Sequence, residues 1–113
     1  MPKSLYCKIF IDSELEYKDL FTLIENSIAG HKEAVTYISS DWCEVCVQKN
    51  KEFNIEQYSR NCNDFIYWPY YLDIEPKDVN KGDYIRSIAN LIDRLRVHCK
   101  GIIIACDFED EIR

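Results

Sequence analysis

Glycine and histidine are scarce in this sequence, and each shortage excludes a kind of site. Only three glycines occur, at positions 30, 82 and 101, and their spacing fits helix ends and turns rather than a loop that cradles phosphate. The two histidines, His31 and His98, are isolated and indicate neither a zinc site nor a specific Cys–His dyad. We therefore predict no catalytic, metal or cofactor site, and we expect a protein that is not an enzyme.

Long apolar runs are also lacking, because no stretch approaches the ~20 apolar residues that a membrane-spanning helix needs. The apolar run near the N terminus, Ile9–Ile11, stops at Asp12 and is too short for a signal peptide. We therefore expect a cytoplasmic protein without a membrane partner. Cysteines remain reduced in that compartment, so we predict six free thiols, at Cys7, Cys43, Cys46, Cys62, Cys99 and Cys106.

Positive charge is in deficit, since 14 lysines and arginines stand against 20 aspartates and glutamates and give a formal net charge of −6. An acidic chain of this size repels phosphates, so we expect no nucleic-acid partner. The same charge suits a basic protein partner, although solubility alone is a sufficient reason for it.

What the sequence does contain is an alternation of strand and helix patterns. Runs rich in β-branched and aromatic residues predict strands over residues 6–11, 34–47 (with a break at Ser39–Asp41 as an alternative), 65–75 and 101–106. Two amphipathic helices lie between them, which gives the β-α-β-β-α-β order of the ferredoxin-like fold. We predict one α+β domain over residues 1–113, with two helices on one face of a four-stranded antiparallel sheet. By analogy with the ferredoxin-like fold, the expected spatial strand order is fourth, first, third, second.

Three local signals refine this fold. Ser13 with Glu16 three residues later is a capping box, which predicts that the first helix begins there. Asn80 and Asp83 are both suited to cap the second helix. The last strand, residues 101–106, is almost continuously apolar and predicts a buried position in the sheet.

The segment Phe65–Glu75 carries more aromatic rings than one face of a strand requires. Alternate residues of a strand face opposite sides, so Trp68 and Leu72 would face the helices and the intervening rings would face away. The uncovered side of the sheet would then present Tyr6, Phe10, Trp42, Phe65, Tyr67, Tyr71 and Ile103. An exposed apolar patch of this kind marks an interface with a partner or in a homodimer, unless residues 48–64 fold over it. We predict partner binding by Phe10, Trp42, Tyr67 and Tyr71.

Acidic residues follow two of the predicted strands. The third strand ends with two of them and the fourth is followed by three: Asp73, Glu75, Asp107, Glu109 and Asp110. These two strands run in the same direction, so their C-terminal ends share one end of the sheet. We predict that the five carboxylates converge there and bind a basic partner, a solvated rim being the alternative. Their spacing is not that of an EF-hand calcium loop.

The segment Trp42–Cys46 resembles the redox motif of thioredoxins, which makes a thiol-disulfide oxidoreductase our alternative function. Three features argue against it: residues 47–60 lack a helical stripe, Glu-Val stands between the cysteines instead of Gly-Pro, and no cis-proline segment follows. If residues 42–47 form a strand, Cys43 and Cys46 face opposite sides and cannot pair.

The segments Tyr70–Pro76 and Ile104–Glu111, with the order of strands and helices, resemble small immunity proteins of bacterial polymorphic toxin systems, including contact-dependent growth inhibition. The likeness covers most of the chain. It implies a cytoplasmic, non-enzymatic inhibitor that binds and neutralises one cognate toxin domain, and an acidic inhibitor suits a basic, nuclease-type toxin. The resemblance transfers no particular binding residue.

Overall fold

A computed structural model of the protein describes residues 5–51, 53, 55–60 and 64–112. Its strands are β1 (Cys7–Asp12), β2 (His31–Ala34), β3 (Tyr37–Ser39), β4 (Cys43–Lys49), β5 (Tyr70–Pro76) and β6 (Gly101–Ala105). Its α-helices are α1 (Tyr17–Ser27), the short α2 (Ile55–Arg60) and α3 (Lys81–Arg96). The strands form one antiparallel sheet of order β2-β3-β4-β5-β1-β6. The predicted α+β class is confirmed, but the sheet has six strands rather than four.

One extra strand, β3, comes from the segment predicted as one strand over residues 34–47, and the other, β2, lies almost entirely before it. A turn divides the predicted segment, because the backbone N–H of Ser40 donates to the carbonyl of Cys43 over 2.9 Å. The Ser40 hydroxyl also accepts the N–H of Cys43 over 3.2 Å. Upstream of this turn, β2 and β3 form a hairpin that extends the sheet beyond β4. The remaining strands keep the predicted spatial order: β6, β1, β5, β4.

The core lies between one face of the sheet and the helices α1 and α3. Alternate residues of the inner strands face it, and each of these is fully buried: Cys7, Ile9, Ile11, Cys43, Val45, Val47, Leu72 and Ile74. The helices contribute Leu20 and Ile24 from α1 and Ile88 and Leu95 from α3 to the same cluster. The alternation of the sequence therefore predicted the buried face of these strands correctly. Within the described ranges, no helix is both long enough and apolar enough to cross a membrane.

The two helices begin differently from each other. The Asn80 side chain caps α3 by accepting the backbone N–H groups of Gly82 and Asp83 over 2.8 and 3.2 Å. By contrast α1 begins at Tyr17, without a side-chain cap. The predicted capping box is wrong because Ser13 has another role: its hydroxyl accepts the N–H of Leu15 and donates to the carbonyl of His98. Ser13 thus links the end of β1 to the chain that follows α3.

The predicted strand over residues 65–75 is correct only in its second half. Phe65–Tyr67 is a turn of 3₁₀-helix, and the strand begins at Tyr70. The Asn50 side-chain amide holds this segment by donating to the carbonyls of Ile66 and Trp68 over 2.9 and 2.7 Å. Trp68 lies outside the core that α1 and α3 cover, contrary to the expected face.

The apolar strand β6 lies at one edge of the sheet, as the predicted strand order placed it, but it is not buried as its composition predicted. Ile102 and Ile104 are half-buried against the core, whereas Ile103 is 38% exposed. The exposure of a strand depends on contacts distant in sequence, so local composition could not reveal it.

Candidate protein-binding face

The face of the sheet opposite α1 and α3 is termed the open face. It is formed by side chains of the three adjacent inner strands: Lys8, Phe10, Glu44, Cys46, Gln48, Tyr71 and Asp73, all of them half-buried. Strand register sets their neighbours, since Tyr71 lies between Phe10 and Gln48, and Asp73 lies between Lys8 and Cys46. The face is aromatic at one end of the strands and acidic at the other.

The aromatic part is a cluster of three rings with a cation above it. The Phe10 ring centroid lies 4.8 Å from that of Phe65 and 6.1 Å from that of Tyr71. The Lys8 ammonium lies 4.4 Å from the centroid of Tyr71 and 5.3 Å from that of Phe10. Ring pairs and cation–π contacts of this kind each contribute about 0.5–1.5 kcal/mol. The rings are thus held in position before any partner arrives.

One end of the open face is partly covered by its own chain. The 3₁₀ turn Phe65–Tyr67 brings Phe65 against Phe10 of β1, while Ile66 remains 43% exposed. A shallow depression beside this turn is bordered by Lys8, Phe10, Asn50, Lys51, Ile66 and Tyr71. Of the predicted covering segment 48–64, residues 52, 54 and 61–63 lie outside the described residues. The turn narrows the open face but leaves Tyr71 and Phe10 partly accessible.

The acidic part is built around Asp73. Its carboxylate accepts a hydrogen bond from the Tyr6 hydroxyl. Burial, and then this hydrogen bond, raise the pKa of Tyr6, so the hydroxyl stays protonated and can donate. Burial likewise raises the pKa of the Cys46 thiol, and the charges of Asp73 and Glu44 add to that effect.

The five carboxylates predicted to converge lie in the C-terminal part of β5 or in the chain that follows β6, and this region is termed the acidic end: Asp73, Glu75, Asp107, Glu109 and Asp110. The strands β5 and β6 both pair antiparallel with β1, and their C-terminal parts lie opposite its first residues. Four of these residues are exposed and Asp73 is half-buried. Strand direction and order bring the C-terminal ends of β5 and β6 to the same end of the sheet, and the convergence of all five carboxylates stays a prediction.

Two predicted binding residues lie elsewhere than expected. The ring of Trp42 is on the helix side, where its centroid is 5.9 Å from that of Tyr84 of α3. Trp42 precedes the first residue of β4 and belongs to the turn, so the alternation of that strand does not place it. Tyr67 is half-buried in the 3₁₀ turn rather than in a strand. Of the four predicted rings, Phe10 and Tyr71 belong to the open face.

Lys8 and Phe65 were not among the predicted binding residues. Lys8 shares the parity of Phe10 on β1, a signal that was available in the sequence. Phe65 was placed on the uncovered side as a strand residue, but its contact with Phe10 is made by the 3₁₀ turn.

The cysteines do not form the redox pair that the alternative function requires. Cys43 is fully buried on the core side of β4, and Cys46 is half-buried on the open face. Each of the five cysteines that the structure describes is a free thiol, and Cys62 lies outside the described residues. Burial raises the pKa of Cys43 to about 11, which leaves it a protonated and unreactive thiol near neutral pH.

We expect thiol labelling of the folded protein at pH 8 to modify Cys46 well before Cys43. Cys43 has no exposed surface and a raised pKa, whereas Cys46 is only half-buried. Peptide mass spectrometry after a timed reaction with iodoacetamide would measure both sites. Cys46→Ser should remove a reactive thiol, and Cys43→Ser, the matched control, should leave the labelling unchanged. A disulfide between the two cysteines, or equal labelling rates, would contradict this result.

Neither metal-binding side chains nor comparison with known proteins identifies a further functional site among the described residues. In the part of the chain that the structure describes, no three His, Cys, Asp or Glu side chains come together as a bound metal ion would need. Comparison of the chain with protein-family models, with curated proteins and with solved structures found no match.

Proposed function

We propose that this protein binds and neutralises a cognate toxin domain in the cytoplasm, using the open face and the acidic end together. The observation that carries the proposal is the cluster of Phe10, Phe65 and Tyr71, which is half-buried and directed away from the core. Among the described residues, the helices that complete the core lie on the other side of the sheet. The resemblance to immunity proteins narrows the partner class to a toxin.

Aromatic rings are favoured anchors at protein interfaces, because they bury a large area at little cost in conformational entropy. The rings of Phe10 and Tyr71 are already fixed by Phe65 and by the Lys8 ammonium. These side chains therefore lose little conformational entropy when a partner binds, and the smaller loss favours a high affinity. The depression beside Ile66 offers a place for an apolar side chain of that partner.

The acidic end defines the charge of the partner. Four exposed carboxylates there, on a chain of net charge −6, attract a basic protein. Such complementarity mainly increases the association rate and selects the partner. Fast capture suits an inhibitor that must act before its target does damage.

We expect the double variant Glu75→Lys, Glu109→Lys to slow association with a basic toxin domain by about tenfold at low salt. Its dissociation rate should change little, because both residues are exposed and their charges act mainly before contact. Stopped-flow or surface-based kinetics at two salt concentrations would measure this.

The matched control is Asp19→Lys, Asp93→Lys, which makes the same change of net charge with exposed residues of α1 and α3. The control should retain most of the association rate. Equal loss in both variants would show that net charge alone acts and that the acidic end is not the site. If the two proteins do not associate, and co-expression does not protect cells from the toxin, the proposed function is wrong.

A further inference from the structure

Two cysteines lie side by side in the fold, although almost the whole chain separates them in sequence. Cys7 is the first residue of β1, and Cys106 directly follows the last residue of β6. These strands pair antiparallel with Lys8 opposite Ala105, so the same register continued by one residue sets Cys7 opposite Cys106. Both side chains lie on the core side of the sheet.

The separation of such a pair suits a disulfide bond. Directly opposed residues of antiparallel strands have Cα atoms about 4.5–5.5 Å apart, and a disulfide spans Cα distances of about 4.4–6.8 Å. The two side chains also meet in this structure, because the Cys7 thiol and the Cys106 sulfur are hydrogen-bonded to each other. A bond between the two sulfurs therefore requires little movement of either strand.

The other cysteines that the structure describes are not paired in this way. Cys43 and Cys46 face opposite sides of β4. Cys43 is also two strands away from Cys7, because β5 lies between β4 and β1. The Cys99 thiol is hydrogen-bonded to Ser13, beyond the opposite end of β1. Within the described residues, the contact between β1 and the end of β6 is thus specific to one pair of thiols.

The environments of the two thiols assign them different roles. Cys106 is half-buried and accessible to a small oxidant, whereas Cys7 has no exposed surface. Burial raises the pKa of Cys106, but hydrogen bonds from the Cys7 thiol and from the backbone N–H of Phe108 oppose that rise. Burial also raises the pKa of Cys7. Cys106 is therefore the thiol that reacts first, and Cys7 is held in place to react with it.

We propose that Cys7 and Cys106 form a reversible disulfide when the protein meets hydrogen peroxide. The Cys106 thiolate attacks one peroxide oxygen, the O–O bond breaks, and the hydroxide that leaves takes up a proton to become water, which converts Cys106 to a sulfenic acid. Cys7 then loses its proton and its sulfur attacks the Cys106 sulfur, so that the S–S bond forms, the S–O bond breaks and a second water is released. The two thiols lose two electrons, and the peroxide gains them.

The disulfide would fix the start of the acidic segment to the sheet. It joins the first residue of β1 to the residue that precedes Asp107. It also closes a loop through almost the whole chain, which restricts the unfolded state and stabilises the folded one. This inference concerns the protein by itself and does not depend on the proposed function.

Peptide mass spectrometry of the full chain tests the pairing directly. The reduced, folded protein is treated with excess hydrogen peroxide, alkylated and digested with trypsin without reduction. Residues 4–8 should be found linked to residues 101–113, at least about tenfold more often than any other pair of cysteine peptides, because these two thiols are already in contact. Dithiothreitol should remove the link. Cys99→Ser, the matched control at another half-buried thiol, should leave it unchanged.

Thermal unfolding gives a second readout. Oxidised wild-type protein should have a Tm at least about 5 °C above that of the reduced protein, because the closed loop is long. Cys106→Ser should show no such rise under the same treatment, with a circular dichroism spectrum like that of the wild type. A link that forms only in urea, links to Cys62 of equal abundance, or a Tm that the link leaves unchanged would overturn the proposal.

Discussion

Trp68→Ala should lower the free energy of unfolding by about 3–5 kcal/mol, the largest loss we expect from a residue outside the main core. Trp68 is 6% exposed, and a Cβ atom at position 101 would lie 2.6 Å from Cη2 of its ring. Gly101 therefore admits the ring against the backbone of β6, where any larger residue would collide with it. Removing the indole leaves a cavity that this rigid strand cannot fill.

Urea denaturation of the variant, with the midpoint converted through an unchanged m-value, would measure this loss. Ile66→Ala is the matched control, because it lies in the same segment but is 43% exposed. It should cost less than about 1 kcal/mol. If Trp68→Ala costs no more than the control, the segment before β5 is not packed on the sheet as described.

Tyr71→Ala should raise the dissociation rate of the toxin complex by about 30-fold, which corresponds to about 2 kcal/mol. Tyr71 is the ring that both Phe10 and the Lys8 ammonium contact, so its loss removes an anchor and also loosens its neighbours. The variant should fold, because Tyr71 is half-buried on the face opposite the core. Its association rate should change little, since that rate depends mainly on charge.

Trp42→Ala provides the comparison for Tyr71→Ala. From the sequence both rings belonged to one face, but Trp42 contacts Tyr84 on the helix side. Its replacement should lower stability and leave the dissociation rate unchanged at temperatures where the variant is folded. If Trp42→Ala and Tyr71→Ala weaken the complex equally, the open face is not the surface that binds the toxin.

The sequence alone determined the fold class, the direction and order of four strands, and the face that each inner strand buries. The fold class and the buried faces follow from periodicity, which is local, and the strand order follows from analogy with the ferredoxin-like fold. Ile9 and Leu72 face the core because alternate residues of a strand point to the same side. The convergence of Glu75 and Asp107 at one end was also predictable, because it depends only on the strand order. The same regularity located Phe10 and Tyr71 on the open face.

Tertiary structure determined the features for which the local sequence pattern is compatible with more than one conformation. Alternation continues through residues 34–47, so the division at Ser40 was predicted only as an alternative, a break at Ser39–Asp41, and Trp42 was assigned to the wrong side. An aromatic run beginning at Phe65 has the composition of a strand, yet Asn50 fixes Ile66 and Trp68 in a different conformation by bonding their carbonyls.

The exposure of β6 shows the same limit, because the predicted strand order placed it at the edge whereas its apolar composition predicted burial. An uncharged apolar strand is compatible either with a position inside a sheet or with a sheet edge that another chain covers. Pairing with β1 on one side alone placed it at the edge. How far an edge strand is covered depends on contacts between residues far apart in sequence, and those contacts form only when the chain is folded.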